Sequence, residues 1–303
     1  MQFKNKHITG LISVVIPVYK DAKGLHDTLS SLAHQTIPES EYEIIVGNDG
    51  GDENVSSVCR SFTNVCELKI SPNRGSYYTR NRALEVSNGE FIAFVDADIS
   101  LPQYWLEKGR NELNKADYVG GPVIIDNSKI KEPAHLYESY HGFPTENFFY
   151  EQHFCVTANL FVKRKIFEKI GGFDERLRSG GDNEFGKRVF LSGSYKQIFT
   201  NELPVNHPPR GFAALVKKTV RLHEGRICLN KLYPERYNYR TPTPRKLVAS
   251  MLLPPKTSSV NKAFKGENGF SFLSKYIFIW KFKFFTQLNL YKLYYGSTGR
   301  KYT

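Results

Sequence analysis

Asp96-Ala97-Asp98 follows directly on five apolar residues, Phe91–Val95. Carboxylates at the end of a buried run are costly unless a cation or strong donors hold them. Their hard oxygens suit Mg²⁺ or Mn²⁺, and such an ion also binds a diphosphate. An ion on a diphosphate neutralises the leaving group of a transfer reaction. Aspartate also caps helices and closes turns, so the pair alone leaves a structural role open.

Other segments carry compatible chemistry. Pro17-Val18-Tyr19 and Asp49 each close a short apolar run. A tyrosine ring can cover a nucleobase, and a carboxylate can accept the imide N–H of uracil. Equally, Tyr19 can be a surface aromatic and Asp49 a turn residue in Asn48-Asp49-Gly50-Gly51. In residues 71–84, SPNRGSYYTRNRAL, Asn73 and Gly75 form a turn and a helix follows. Arg80 on that helix can reach a phosphate or brace the acidic strand ends, and Arg82 suits an ion pair on the helix face.

Residues 179–189, SGGDNEFGKRV, place two glycines before Asp182 and Glu184. The glycines let backbone approach a ligand. The acids either stabilise a helix N-terminus or supply a general base, with Asp182 taking the proton of an attacking hydroxyl. His207, in VNHPPRG, follows the last expected strand. Imidazole can complete a Mn²⁺ shell, although a lone histidine is often structural.

These residues need a scaffold that gathers them. Ile12–Val18, Glu43–Val46, Val65–Ile70 and Phe91–Val95 read as strands. Helical stretches Gly24–Gln35, Glu53–Phe62 and Gly75–Ser87 lie between them. This is the pattern of right-handed β-α-β units around a parallel sheet. Ligands of such sheets sit outside the carboxyl ends of the strands. Tyr19–Asp21, Asn48–Asp52 and Asp96–Asp98 therefore share one edge. Further on, a helix is expected near Pro102, strands at Tyr118–Ile125, Phe154–Val162 and Tyr195–Phe199, and helices at Asp182–Leu191 and Phe212–Leu229. Residues 126–152 read as an irregular acceptor loop, and residues 233–262 as a linker rich in Pro, Thr and Ser.

Charge divides the chain. Of 303 residues, 42 are Lys or Arg and 30 are Asp or Glu, a net charge of +12. Residues 205–303 hold 19 of the basic residues and only three acids, Glu224, Glu235 and Glu267. Such asymmetry points to an anionic partner: lipid, nucleic acid or a phosphorylated substrate. Residues 270–295 interleave aromatics with lysines, which fits a membrane surface or a packing helix. Nucleic acid is disfavoured, because no recognition module is present. The four cysteines have no metal-ligand spacing and read as reduced, mostly buried thiols. The polar start and the lack of a ~20-residue apolar run predict neither a cleaved leader nor a membrane span. A cytoplasmic protein, peripheral on the inner membrane face, is expected.

Taken in order, VVIPVYKDAKGLHDTLSSLAHQ, IIVGNDGGDEN, NRGSYYTRNRAL, GEFIAFVDADISLP and GGFDERLRSGGDNEFGKRV resemble family 2 of the inverting glycosyltransferases, over residues 10–230. The resemblance implies the GT-A fold: an α/β architecture with a mostly parallel, Rossmann-like sheet flanked by helices, here with a basic helical C-terminal extension. It implies a catalytic domain over 1–230, with a nucleotide-sugar half at about 10–100 and an acceptor half at about 101–230, and an extension over 231–303. Pro17, Tyr19 and Asp21 match the first-strand motif near the nucleobase. Asp49 matches the acid that reads uracil, Asp96 the acid near ribose and sugar, and Asp98 the metal ligand. Arg80 and Ala97 fall within the same matched segments. Asp182 matches the base; Gly181 stands where the family usually has Glu, and Glu184 is the alternative base. His207 is similar to a late histidine that completes the metal shell. Lys217, Lys218, Arg221 and Arg226 resemble a basic segment that clamps the diphosphate.

The expected reaction is metal-dependent, inverting transfer from a nucleotide-sugar, UDP-linked by preference, to a saccharide or lipid-linked acceptor in bacterial surface polysaccharide synthesis. The cofactor is Mn²⁺ or Mg²⁺. Two rivals are a nucleotidyltransferase and a non-catalytic membrane or nucleic-acid adaptor. The first fits poorly, because Val18-Tyr19-Lys20-Asp21-Ala22-Lys23-Gly24 is a poor match to a glycine- and lysine-rich phosphate loop.

Overall fold

A computed structural model describes residue 3, residues 6–266 and residues 269–296. Ile8–Val18 (β1), Ala22–Leu32 (α1), Tyr42–Asp49 (β2), Glu53–Arg60 (α2), Val65–Ile70 (β3), Ser76–Val86 (α3) and Gly89–Val95 (β4) alternate at the start. Trp105–Leu113 (α4), Tyr118–Gly120 (β5), Val123–Ile125 (β6), Pro133–His141 (α5), Thr145–Gln152 (α6), Asn159–Lys163 (β7) and Arg164–Ile170 (α7) follow. The chain ends with Gly181–Leu191 (α8), Gln197–Phe199 (β8), Val205–His207 (β9), Phe212–Leu232 (α9), Pro244–Leu252 (α10), Thr257–Ala263 (α11) and Phe272–Tyr295 (α12). These elements form two compact units: Met1–Ile124, Pro144–Arg176 and Gly181–His207 in the first, and Ile125–Phe143, Leu177–Gly180 and Pro208–Thr303 in the second. Residue 230, where the sequence suggested a domain end, lies inside the second.

In the first unit seven strands line up as β3-β2-β1-β4-β7-β5-β8. β3, β2, β1 and β4 are parallel. Val14, Val15, Ile16, Ile92 and Phe94 are wholly buried. Strands covered on both faces read as continuous apolar runs rather than alternating ones, which is why the sequence displayed them. β7 runs antiparallel to β4 and β5, a reversal that hydrophobic pattern does not encode.

Several expected boundaries move. The strand over 118–125 breaks after Gly120, because a Cβ on Gly121 would lie 2.4 Å from the Leu203 carbonyl and Pro122 has no N–H to donate. The strand expected from Phe154 begins only at Asn159. The irregular segment at 126–152 is instead largely α5 and α6. Phe94 on β4 meets Phe167 and Phe173 edge-on at 5.8 and 5.4 Å, and Phe185 stacks on Phe167 at 4.8 Å and lies 4.9 Å from Phe173. Each such burial stabilises by roughly 1.5–3 kcal/mol.

The second unit is helical. Leu136, Leu215, Val260, Phe264 and Phe278 form one core cluster, and Leu247, Leu290 and Leu293 another. The expected linker at 233–262 carries α10 and α11, because Pro244 pre-sets the first turn of α10 and Thr243 caps it. Glu138 is wholly buried and accepts from Arg210 Nη1 at 2.8 Å and Lys218 Nζ at 3.1 Å. Burial pushes its carboxyl up, but the two cations outweigh that and hold it low. Burial in turn lowers the Lys218 ammonium to about 8. Among the described residues no helix is long and apolar enough to cross a membrane. The cysteines are free thiols; Cys59 and Cys155 are buried, while Cys66 is exposed.

Candidate active site

The parallel register brings the strand ends together. Val18 pairs with Asn48 and Val15 with Phe94, so β1, β2 and β4 finish along one edge. Pro17 costs little there, because pairing of β1 with β4 ends at Val15. Tyr19 leaves β1 as a 53% exposed residue. A Cβ on Gly50 would sit 3.0 Å from its ring, so the ring stands over the loop after β2. Gly50 and Gly51 both have positive φ, +119° and +66°, which side-chain-bearing residues rarely adopt.

α1 closes on the Asp96–Asp98 loop. Asp21 caps the helix, accepting from the Gly24 N–H at 2.9 Å. A Cβ on Gly24 would lie 2.8 Å from the Ala97 carbonyl, so only glycine permits this approach. One turn on, the Thr28 hydroxyl donates to the Ile99 carbonyl at 2.8 Å and accepts from the Ile99 N–H at 3.1 Å.

Asp49 is buried and accepts from Asn73 Nδ2 at 2.7 Å, the Arg74 N–H at 2.7 Å and the Gly75 N–H at 2.8 Å. A carboxylate has about four acceptor positions. Three of them therefore hold the turn that starts α3.

α3 presents Tyr77 and Arg80 on one face. Arg80, 3% exposed, donates to Asp96 Oδ1 at 2.6 Å. Its Nε is buried without an acceptor among the described residues. The Tyr77 hydroxyl donates to Asp182 Oδ1 at 3.1 Å, and the Asn183 N–H donates to the same oxygen at 3.0 Å. Oδ2 of Asp182 accepts from no described residue. Burial pushes the Asp182 carboxyl up; the two donors and Arg80 oppose this, and Asp96 adds to it. Asp182, Arg80 and Asp96 thus feel one another electrostatically. A Cβ on Gly181 would meet Tyr77 ring carbons at 2.7–2.9 Å. The ring fills the space a side chain at 181 would need, which explains glycine there.

Glu184 lies 1% exposed, and its carboxylate is gripped by Arg188 at 2.9–3.3 Å. The same guanidinium donates to the Ile170 and Gly172 carbonyls. Glu184 is thus engaged in a buried ion pair that ties α8 to the end of α7.

Asp98 and His207 meet. Ser100 and Asn206 exchange backbone hydrogen bonds of 2.8 and 3.0 Å, which draws the end of β9 alongside the loop. His207 Nε2 then lies 3.3 Å from Asp98 Oδ2. Two donors so spaced can both sit about 2.1 Å from one ion. Among the described residues no three His, Cys, Asp or Glu side chains gather as a metal cage. An imidazole and a carboxylate are donor types that Mn²⁺ accepts.

Sequence reasoning did not single out Tyr77 or Asn183, and it named Asn73 only as a turn residue. Tyr77 had one signal, its three-residue spacing from Arg80 on a helix face. Lys218 faces Glu138 and the Gly142 carbonyl, 2.9 Å away, instead of standing open for a diphosphate.

A parallel sheet with an exposed aromatic, glycine loops and paired acids on its carboxyl edge has the form of a nucleotide-sugar transferase of the GT-A class. The model of glycosyl transferase family 2 matches residues 13–171, and this chain belongs to that family. Glycosyltransferase AglE of Haloferax volcanii is 33% identical over 222 residues, 71% of this chain and 73% of that protein. Chondroitin synthase of Escherichia coli is 28% identical over 243 residues, 66% of this chain but 35% of its own length. Among solved structures, mannosyltransferase PcManGT from Pyrobaculum calidifontis, in complex with GDP-Man and Mn²⁺, aligns with a TM-score of 0.62 at 16% identity, covering 94% of this chain and 87% of that one. S. aureus TarS 1-349 in complex with UDP-GlcNAc aligns at 0.54 and 15% identity, covering 94% and 91%. These two likenesses show the GT-A fold. The chain is a glycosyltransferase, and the nucleotidyltransferase alternative falls away.

Proposed function

We propose that the chain transfers a sugar from a UDP-linked donor to an acceptor hydroxyl with inversion, in surface polysaccharide synthesis. The observation that carries this reading is Asp182, anchored through Oδ1, with Oδ2 open and the Arg80–Asp96 pair within electrostatic reach. A partly buried carboxylate with a raised pKa is suited to general-base work.

In the proposed step the acceptor oxygen bonds to the anomeric carbon while the bond to the diphosphate oxygen breaks. The hydroxyl proton passes to Asp182 Oδ2. One displacement inverts the centre, and no covalent enzyme intermediate is needed. Glu184 is engaged with Arg188, which favours Asp182 as base. Asp98 and His207 would hold Mn²⁺ or Mg²⁺, which would neutralise the leaving diphosphate. Tyr19 offers its ring to the base, and Arg80 keeps Asp96 oriented. The acceptor is a saccharide or a lipid-linked saccharide.

The test is a thermal-shift screen of nucleotide-sugars with and without Mn²⁺, followed by product detection. The expected result is stabilisation by one UDP-sugar only when metal is present. Asp98→Ala should abolish the metal-dependent part, and its persistence would remove Asp98 as ligand. A GDP-sugar as sole stabiliser would correct the nucleotide. No stabilisation by any donor would sink the reading.

A further inference from the structure

α12 has a second face that the described residues leave largely exposed. Phe278, Leu290 and Leu293 turn inward and are buried. Leu273, Ile277, Trp280, Phe284, Tyr291 and Tyr295 are 36–65% exposed. Their spacing alternates between three, four and seven residues. At 3.6 residues per turn they fall within an arc of roughly 60° and run for about 33 Å. Large apolar side chains are seldom left in water in so regular a line.

Charge flanks the line. Lys281 and Lys292 lie on one shoulder and Lys283 on the other, each roughly 70–90° from its middle. Lys283 Nζ also donates to the Leu253 carbonyl at 3.1 Å, which sets Leu252 and Leu253, 69% and 60% exposed, beside that shoulder. An apolar stripe between basic shoulders is the pattern of a helix lying in the plane of a membrane interface, with aromatic rings at headgroup depth.

We propose that α12 docks flat on an anionic lipid bilayer through this stripe. The excess of basic residues decides the occupant. Residues 205–303 hold 19 Lys and Arg against three acids, so pairing the stripe with a second copy of itself would set like charges together. Anionic headgroups complement the same charges. The proposal is independent of the donor and base assignments, because it concerns only the second unit.

The experiment is flotation of the full chain with phosphatidylcholine vesicles, with and without phosphatidylglycerol. Three lysines at roughly fivefold each predict about a hundredfold tighter binding to the anionic vesicles, falling as salt is added. The chain has two tryptophans. Trp105 is 1% exposed and Trp280 44%, so a blue shift of emission on binding reports Trp280, and Trp280→Phe should abolish the shift. The double variant Ile277→Asp with Phe284→Asp changes only exposed positions; it should melt like the parent and lose flotation. Failure of the parent to float with phosphatidylglycerol vesicles overturns the proposal without recourse to any variant. Undiminished flotation of the folded double variant overturns the stripe. A dimer in sedimentation that the double variant abolishes, without vesicle binding by the parent, overturns it in favour of a second copy.

Discussion

The edge of the first unit and the outer face of α12 reverse the usual distribution of side chains in opposite senses. At the edge, polar groups are buried: Asp49, Arg80 and His207 are each at most 3% exposed. On α12, apolar groups face water. Each reversal is more informative than an ordinary core, since buried polar groups and exposed apolar lines are the unusual cases. The difference lies in how each is held. The edge acids have fixed donors from several elements, so their positions are over-determined. The α12 stripe is anchored through its buried face, while among the described residues its other face is left 36–65% exposed.

This contrast can be broken at several strengths. Asp182→Asn keeps the hydrogen bonds at Oδ1 but removes the proton acceptor. Transfer should fall by about 10²- to 10⁴-fold while donor-induced thermal stabilisation persists; turnover at the parent rate would move the base elsewhere. Glu138→Ala strips the carboxylate from between Arg210 and Lys218 in the second unit. Stability in a denaturant melt should drop by about 3–5 kcal/mol, the cost of stranding buried charge, and a smaller loss would mean that water reaches the cluster. Gly181→Ala drives a methyl into the Tyr77 ring. It should cost about 1–3 kcal/mol and lower kcat, since Tyr77 and Asp182 must shift together; an unchanged kcat would separate the two. Tyr77→Phe is the mildest. Burial already holds the Asp182 carboxyl up, so activity should rise with pH through a limb above the ordinary carboxylate range. Removing the hydroxyl donor disfavours the ionised form further. The acidic limb of kcat should move up by at most about one pH unit, and a downward move would contradict the hydrogen bond.

Legibility from sequence followed the physics of each region. Strands β1, β2 and β4 declare themselves through runs such as Val14-Val15-Ile16 and Phe91–Val95, which are apolar on both faces, whereas β3 at the sheet edge alternates, with Glu67 and Lys69. Their carboxyl ends therefore located Tyr19, Asp49, Asp96 and Asp98 along one edge before any coordinates. The direction of β7 was not readable, because period-two patterning is the same in either direction. α5 and α6 hid in residues 126–152, where aromatics pack on both sides and leave no single stripe. α10 hid behind prolines that begin a helix as readily as they end one. In the site, the spacing of residues 179–184 suggested a base. It could not assign Glu184 to Arg188 or Asp182 to Tyr77, since the second partnership spans 105 residues.

The reversed β7 carries a consequence of its own. Val95 pairs with Asn159, so residues 154–158 arrive where Asp96 departs. Asn159 locks that arrival, donating to the Leu203 carbonyl at 2.6 Å and accepting from Trp105 Nε1 at 3.0 Å. One margin of the sheet is thereby bordered by two antiparallel stretches, one entering β7 and one leaving β4. Phe154, Cys155, Thr157 and Ala158 in the entering stretch are buried, and the Cys155 N–H donates to the Tyr118 hydroxyl at 2.9 Å, so the acidic edge is walled on that side by packed chain.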